Sequence, residues 1–561
     1  MIISLIIMVS VDGANNSSDQ GSLSSLTPDH ITLTWVNNPI YTQAITWRTN
    51  STIEAGVVQY SKSHDLTSPK SVNANKTTLI TDLGNDSLFY SPITGLDPGT
   101  TYYYRVGDGV NNWSLISSFT TEKTDQNHVE FLVFGDSQSG DVTLLDYQPW
   151  QRTINHAFDA HPNANFFVQV GDSSEIGPSG EHRDLWFDAA KEVLSNLPYV
   201  PVEGNHDCLD NTYNNTEPEL FKSLFNVPDN GPYKNDQIYS FDYGNVHFIV
   251  LDSQFYEETE SNPSLLQDEQ TWLEQDLQKT QKEWKIAFWH KPPYSARSLI
   301  TNEDVKNAFS EILDKYHVDV VFNGHDHVYS RTYPLNNDTI TTTDSGTVYV
   351  ITGQTGGKYY DDNMQKVWYS EYYDPQEQPI FLVIDVNGDI FNMKVYTSDE
   401  TLIDNYTINK NGIDTKLPII PPPYQNTRLV INGVLLNQPL VPVPPSLISG
   451  KWYLPVKAVV GFLGGTEIDS ENDANITMKV QYYAGDGNPW SDRKNHVIVL
   501  SNSSSMASID SQSVELPDII IRDSKGNFLI SADSFNELCG FSWRYDANRN
   551  ELLLINPNSF S

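Results

Sequence analysis

The sequence predicts a multidomain chain: an N-terminal all-β sandwich, a central α/β layered sandwich and a small C-terminal α+β repeat domain. Three observations predict it. Residues 28–122 carry short alternating apolar runs bounded by Asn, Pro, Gly and Ser. Across 128–408, apolar strand-like runs alternate with helical patterns. Within 427–557 the segment from Gly450 to Gly464 aligns without gaps on the segment from Gly526 to Gly540. A length of 561 residues suits this division at roughly 100–200 residues per domain.

In the first unit, Ile31/Leu33/Trp35, Ala44/Thr46 and Val57/Gln59 alternate as strands with one buried face do. The run Leu96-Asp-Pro-Gly-Thr-Thr-Tyr102 is a turn followed by a strand carrying Tyr, the tyrosine-corner arrangement of immunoglobulin-like sandwiches. This domain reads as scaffold. In the second unit the strands are 130–134, 166–170, 285–289, 318–322 and 348–352, with helices over 263–280 and 302–316. Residues 409–426, with Pro418 and Pro421–Pro423, read as a Pro-rich linker. Two strand–helix copies are too few for a solenoid, so 427–557 reads as one small domain.

The apolar run Ile2–Val11 is too short to span a bilayer, which needs about 20 residues. It reads as the core of a truncated signal peptide over 1–14, followed by a flexible Ser/Asn-rich lead-in over 15–27. The expectation is a secreted or cell-surface protein without a transmembrane segment. Two cysteines, Cys208 and Cys539, make no disulfide framework. A net charge of −38 repels nucleic-acid backbones and anionic lipid. It also repels a phosphate substrate unless a local cation reverses the field.

The polar punctuation of the central unit is patterned. Strand-like runs end at Gly135-Asp136, Gly171-Asp172, Gly204-Asn205-His206-Asp207, His290 and Gly324-His325-Asp326-His327. Open α/β sheets bind ligands beyond the carboxyl ends of their strands. A lone Asp or His at a strand end is usually a turn or cap residue, but the joint series is not explained that way. Carboxylate, amide and imidazole together suit Mn, Zn or Fe. An Asp can bridge two cations, and such a pair can clamp the oxygens of a phosphoryl transfer.

This series resembles the calcineurin-like metallophosphoesterases, whose fold is a four-layer α/β sandwich. With the N-terminal sandwich and Gly324–Pro334 (GHDHVYSRTYP), residues 28–408 resemble a bacterial purple-acid-phosphatase-like protein with a fibronectin-III-like first domain. The resemblance implies two divalent metal ions. Asp136 and His327 would bind the first, and Asn205, His290 and His325 the second, with Asp172 bridging. His206 would contact phosphate and protonate the leaving group, and Asp207 would orient His206. Two positions depart from the pattern. Gln138 stands where the superfamily has a ligand His, and Glu175 where purple acid phosphatases have a ligand Tyr. Gln138 could coordinate through its carbonyl oxygen or leave the position to water. Without tyrosinate the site is expected to be colourless. His182 and Tyr294 are the remaining candidates for substrate contact, and His247 reads as a strand residue.

The C-terminal unit, with Val430-Ile-Asn-Gly433, Trp452–Val456 and Phe462–Gly465, resembles the copper-amine-oxidase N-terminal-like repeat domain of secreted Gram-positive proteins. Its one His is His496, so no copper site is expected, and it reads as a cell-envelope attachment module. The whole is expected to be a secreted acid-phosphatase-like hydrolase of small phosphate monoesters, by in-line attack of a metal-bound hydroxide. The alternatives are a phosphodiesterase or nucleotidase using the same site, and a surface-binding protein with a decayed catalytic domain.

Overall fold

The computed structural model describes residues 24–555 apart from 235–236, 259–261, 298–301, 413–426, 437–443, 463–465, 473–474, 484–492, 524–525 and 548–549. The expected signal peptide and most of the lead-in and linker lie outside the described residues.

The alternating runs of the first unit form two four-stranded sheets. One runs in the order Asp29–Thr34, Thr42–Asn50, Gly84–Thr94, Asn75–Thr81; the other in the order Lys70–Asn73, Val57–Ser61, Thr101–Gly107, Ser117–Thr120. Their inner faces bury Leu33, Ile45, Trp47, Val58, Phe89, Tyr104 and Phe119 in one core. The Asp97 amide donates to the Tyr102 hydroxyl at 3.0 Å, closing the expected tyrosine corner. The sandwich rests on the helix Gly180–Leu194 of the next unit. There Arg48 pairs with Asp184 at 2.6 Å and the His30 ring stacks on Phe187.

The central unit has two sheets face to face with helices outside each. The six-stranded sheet runs Tyr199–Val202, Phe166–Val170, His128–Phe134, Ile380–Asn387, Ile390–Thr397, Leu402–Asn409. The seven-stranded sheet runs Tyr239–Tyr243, Val246–Val250, Trp284–Phe288, Val320–Asn323, Val348–Thr352, Tyr329–Thr332, Tyr369–Tyr373. Between them Phe131, Val168, Phe248, Phe288, Phe322, Val350 and Ile384 share a buried core. Helices Gln148–Ala160 and Gly180–Leu194 cover one outer face through Trp150, Ile154, Trp186 and Val193. Helices Leu265–Lys279 and Glu303–Tyr316 cover the other through Leu273, Leu277, Phe309 and Leu313. A strand buried on both faces reads as a continuous apolar run, as EFLVF and FFVQV do. The expected four-layer sandwich is therefore the observed one, with the five strands divided between its two sheets.

In the C-terminal unit the repeat folds as two copies of strand plus helix, Lys451–Pro455 with Val456–Phe462 and Phe528–Ser531 with Ala532–Cys539. The two strands pair antiparallel, Tyr453 opposite Ser531. Leu454, Val459, Ile530, Phe535 and Leu538 share one core, so neither copy buries its apolar face alone. The unit meets the central one at Gly433, whose carbonyl accepts from Val367 N–H at 2.8 Å.

His247 lies in strand Val246–Val250, as its sequence suggested. Its ring nitrogens meet Asp242 at 2.7 Å and Asp276 at 2.8 Å. Burial alone would lower its pKa, but the two carboxylates raise it to about 9. The stabilisation is complete below the unfolded value of about 6.5 and is lost as pH rises through about 9. His247→Ala should therefore destabilise the protein more at pH 6 than at pH 10, by up to about 3 kcal/mol, as read by denaturant unfolding at each pH. Equal losses at both would show that the ring contributes packing alone.

Candidate metal centre

Strand Phe166–Val170 pairs in parallel with Tyr199–Val202 on one side and His128–Phe134 on the other, as Trp284–Phe288 does with Val320–Asn323 in the other sheet. Their carboxyl ends therefore open on one edge. Asp136, Asp172, Asn205, His290 and His325 each sit within three residues past such an end. Asp172, His325 and His327 hold left-handed backbone, with φ of 51°, 72° and 55°. Non-glycine residues adopt this uncommonly, in turns and, where the surroundings over-determine it, at functional sites. The preceding glycines are required by crowding. A Cβ at Gly171 would collide with the His290 ring, and one at Gly324 would lie 2.8 Å from the Asp136 carboxylate.

Two groups of ligand atoms result, each within 4.8 Å: Asp172, His290 and His325, and Asp136, Asp172 and His327. Asp172 belongs to both. His290 Nδ1 donates to the Val170 carbonyl at 2.8 Å. Its Nε2 then points at Asp172 Oδ2, 3.2 Å away, and at Asn205 Oδ1, 3.0 Å away. His325 Nδ1 is 2.9 Å from the same Asn205 oxygen and 3.3 Å from His290 Nε2. His327 Nδ1 donates to the Lys358 carbonyl at 2.8 Å, which turns Nε2 towards Asp136 Oδ1 at 3.3 Å. That Nε2 is buried without a hydrogen-bond partner, as is Gln138 Oε1. Lone pairs facing lone pairs in a buried site are stable when a cation lies between them. The donor set of carboxylate, imidazole and amide oxygen fits Mn, Zn or Fe.

The charges follow the same geometry. Burial works against the Asp172 carboxylate, but the surrounding imidazoles hold it well below the usual range. Burial also opposes the His290 imidazolium, yet Asp172 and Asp136 raise it to about 9. Burial and the neighbouring His290 push His325 well below its ordinary value.

Gln138 lies within the site, its amide N–H donating to Asp172 Oδ2 at 2.9 Å. His206 flanks the cluster, its backbone N–H donating to Asp172 Oδ1 at 2.8 Å. The expectation that Asp207 orients His206 is corrected. Asp207 Oδ1 accepts from Ser173 at 2.7 Å and Arg183 at 2.9 Å, and Oδ2 from Gly204 N–H at 3.0 Å. What orients the His206 ring is the Glu175 carbonyl, which accepts from Nδ1 at 2.9 Å. His182 and Tyr294 are also corrected as substrate contacts. His182 is buried, with Nδ1 2.9 Å from the Tyr147 hydroxyl and Nε2 3.3 Å from the Val142 carbonyl. Tyr294 is buried against Tyr349 and Trp368 and donates to Asp338 at 2.9 Å.

Lys358 was missed. Its Nζ lies 2.8 Å from His206 Nε2 and 3.1 Å from Glu175 Oε1. Its signal in the sequence is the Gly356-Gly357 turn before it. Thr355 and Gly356 N–H both donate to the Asp136 carbonyl, returning the chain from strand Val348–Thr352 to the site.

Residues 28–121 match the model of the purple acid phosphatase N-terminal domain, and residues 129–329 that of the calcineurin-like phosphoesterases. This chain carries a purple acid phosphatase N-terminal domain followed by a calcineurin-like phosphoesterase domain. Curated relatives include purple acid phosphatase 15 of Arabidopsis thaliana, 28% identical over 55% of this chain and 61% of that protein. Acid phosphatase type 7 of Mus musculus is 27% identical over 59% of this chain and 78% of that protein. The chain thus spans about three-fifths of the length of the plant relative. Among solved structures, purple acid phosphatase PPD1 from yellow lupin shares the fold, with a TM-score of 0.57 at 16% identity over 68% of this chain and 74% of that one.

The Arg183–Asp207 pair is almost wholly buried. Asp207→Ala should leave the guanidinium buried and unpaired and cost about 3–5 kcal/mol in urea unfolding. A loss below about 1 kcal/mol would restore a role for Asp207 outside the support of the Asn205–Cys208 turn.

Proposed function

We propose that the protein is a metal-dependent phosphatase acting on small phosphate monoesters at a two-cation site. The observation that carries this is the Asp172 carboxylate shared by two converging sets of buried lone pairs, with His206 at their margin. Asp136, Asp172 and His327 would hold one cation, with Gln138 Oε1 within reach of the same region. Asp172, Asn205, His290 and His325 would hold the other. Divalent cations there, when bound, supply positive charge to phosphoryl oxygens and lower the pKa of water. That local charge also answers how an anionic ester approaches a chain of net charge −38.

His206 Nδ1 is committed to the Glu175 carbonyl. Nε2, which accepts from Lys358 at 2.8 Å, is therefore the nitrogen through which a proton reaches the departing oxygen. The full set of candidate ligands argues against a decayed catalytic domain. Placement outside the cell or on its surface, in a Gram-positive host, rests on the apolar Ile2–Val11 run and the repeat unit. Envelope attachment is assigned to residues 427–557 on the same ground. No helix among the described residues is long and apolar enough to cross a membrane.

Chelator-stripped protein supplied with Mn²⁺, Zn²⁺ or Fe²⁺ should hydrolyse an aryl phosphate monoester. Asp172→Asn should abolish this, and His206→Ala should lower kcat by about 10²–10⁴-fold with metal content retained. Folded, metal-loaded protein that releases nothing from either a monoester or a diester would overturn the reading.

A further inference from the structure

Glu175 stands where the family pattern places a ligand tyrosine, yet it is not among the grouped ligand atoms of the metal centre. Its carboxylate is fully buried and accepts from Lys358 at 3.1 Å, the Tyr213 hydroxyl at 3.3 Å and Gly140 N–H at 3.1 Å. The position has become the anchor of a cation. Lys358 in turn reaches His206 Nε2 at 2.8 Å. Its own carbonyl holds His327, so this one residue contacts both His327 and His206. The Lys358 side chain is 15% exposed. An ammonium has three donors. Glu175 and His206 take two, leaving one N–H for an incoming oxygen. Arg297, another nearby cation, is engaged with Asp362 at 2.6 Å and stacked on the Tyr360 ring. Lys358 is the cation placed against His206.

We propose that Lys358 selects phosphate monoesters over diesters, its charge and third N–H taking a non-bridging oxygen of the dianionic phosphate beside His206, with Glu175 as its fixed anchor. This rests on the phosphatase reading above. A monoester dianion presents one more negative charge than a diester, and charge-assisted hydrogen bonds are the stronger kind. In a diester the second ester group occupies an oxygen that the lysine would otherwise meet.

The test uses the full metal-loaded chain and the variants Lys358→Met, Lys358→Arg and Glu175→Gln, each checked for metal content and thermal unfolding. Inorganic phosphate binding is read by calorimetry, and kcat/KM is read for an aryl phosphate monoester and the matching diester. Lys358→Met should weaken phosphate binding at least about tenfold and lower monoester kcat/KM about 10²-fold, with the diester changed less than about threefold. Lys358→Arg should restore part of the monoester preference. Glu175→Gln should shift both readouts in the direction of Lys358→Met, and it carries the comparison if Lys358→Met does not fold. Unchanged phosphate affinity, or equal losses on both esters, would overturn the assignment. A wild type that hydrolyses neither ester would sink the phosphatase reading, whereas phosphate binding lost on removal of Lys358 would still uphold the lysine's role.

Discussion

The Asp172 carboxylate has each oxygen committed to a different part of the site. Oδ1 accepts the His206 amide, and Oδ2 faces His290 and accepts from Gln138. That double commitment requires backbone at positive φ just beyond strand Phe166–Val170, and a preceding Gly171 that makes room for the His290 ring. The His290 ring in turn is fixed by Val170, the last residue of that strand. Moving any one of these groups would misplace the others, because their lone pairs converge in one buried space.

The two packed sheets make this convergence stable. Asp136, Asp172 and Asn205 come from one sheet and His290, His325 and His327 from the other. Each group follows a strand with at least one parallel neighbour, so the relative height of the strand ends is set by register across the shared aromatic core. A close-packed core resists sliding. The strain in the left-handed residues is therefore balanced by burial far from the site.

The fold class was legible because burial leaves a periodic trace. The alternating strands of 28–122 and the doubly apolar strands of the central unit each declare how many faces they cover. The helices 265–279 and 303–316 fall within the stretches read from their spacing. The candidate ligands were legible because short-range crowding demands glycine beside them, which stamps GD, GNHD and GHDH on the sequence. What was misread shares one cause. Asp207 is adjacent to His206 in the chain, but the turn Asn205–Cys208 directs its carboxylate to Arg183 on a helix. His182 and Tyr294 follow ligand motifs closely and yet face the interior. Adjacency in sequence does not fix the direction of a side chain.

Lys358 shows the converse. It lies far from every motif in the sequence, and its pairing with Glu175 spans the join of the two sheets. Sequence by itself determined the layers, the order of the strands along the chain and the donor types at their ends, because these follow from periodicity and local sterics. The tertiary structure alone decided which oxygen or nitrogen each donor presents, that Glu175 anchors a lysine, and that His206 is held by a carbonyl. Those outcomes depend on distances between segments that share no local constraint.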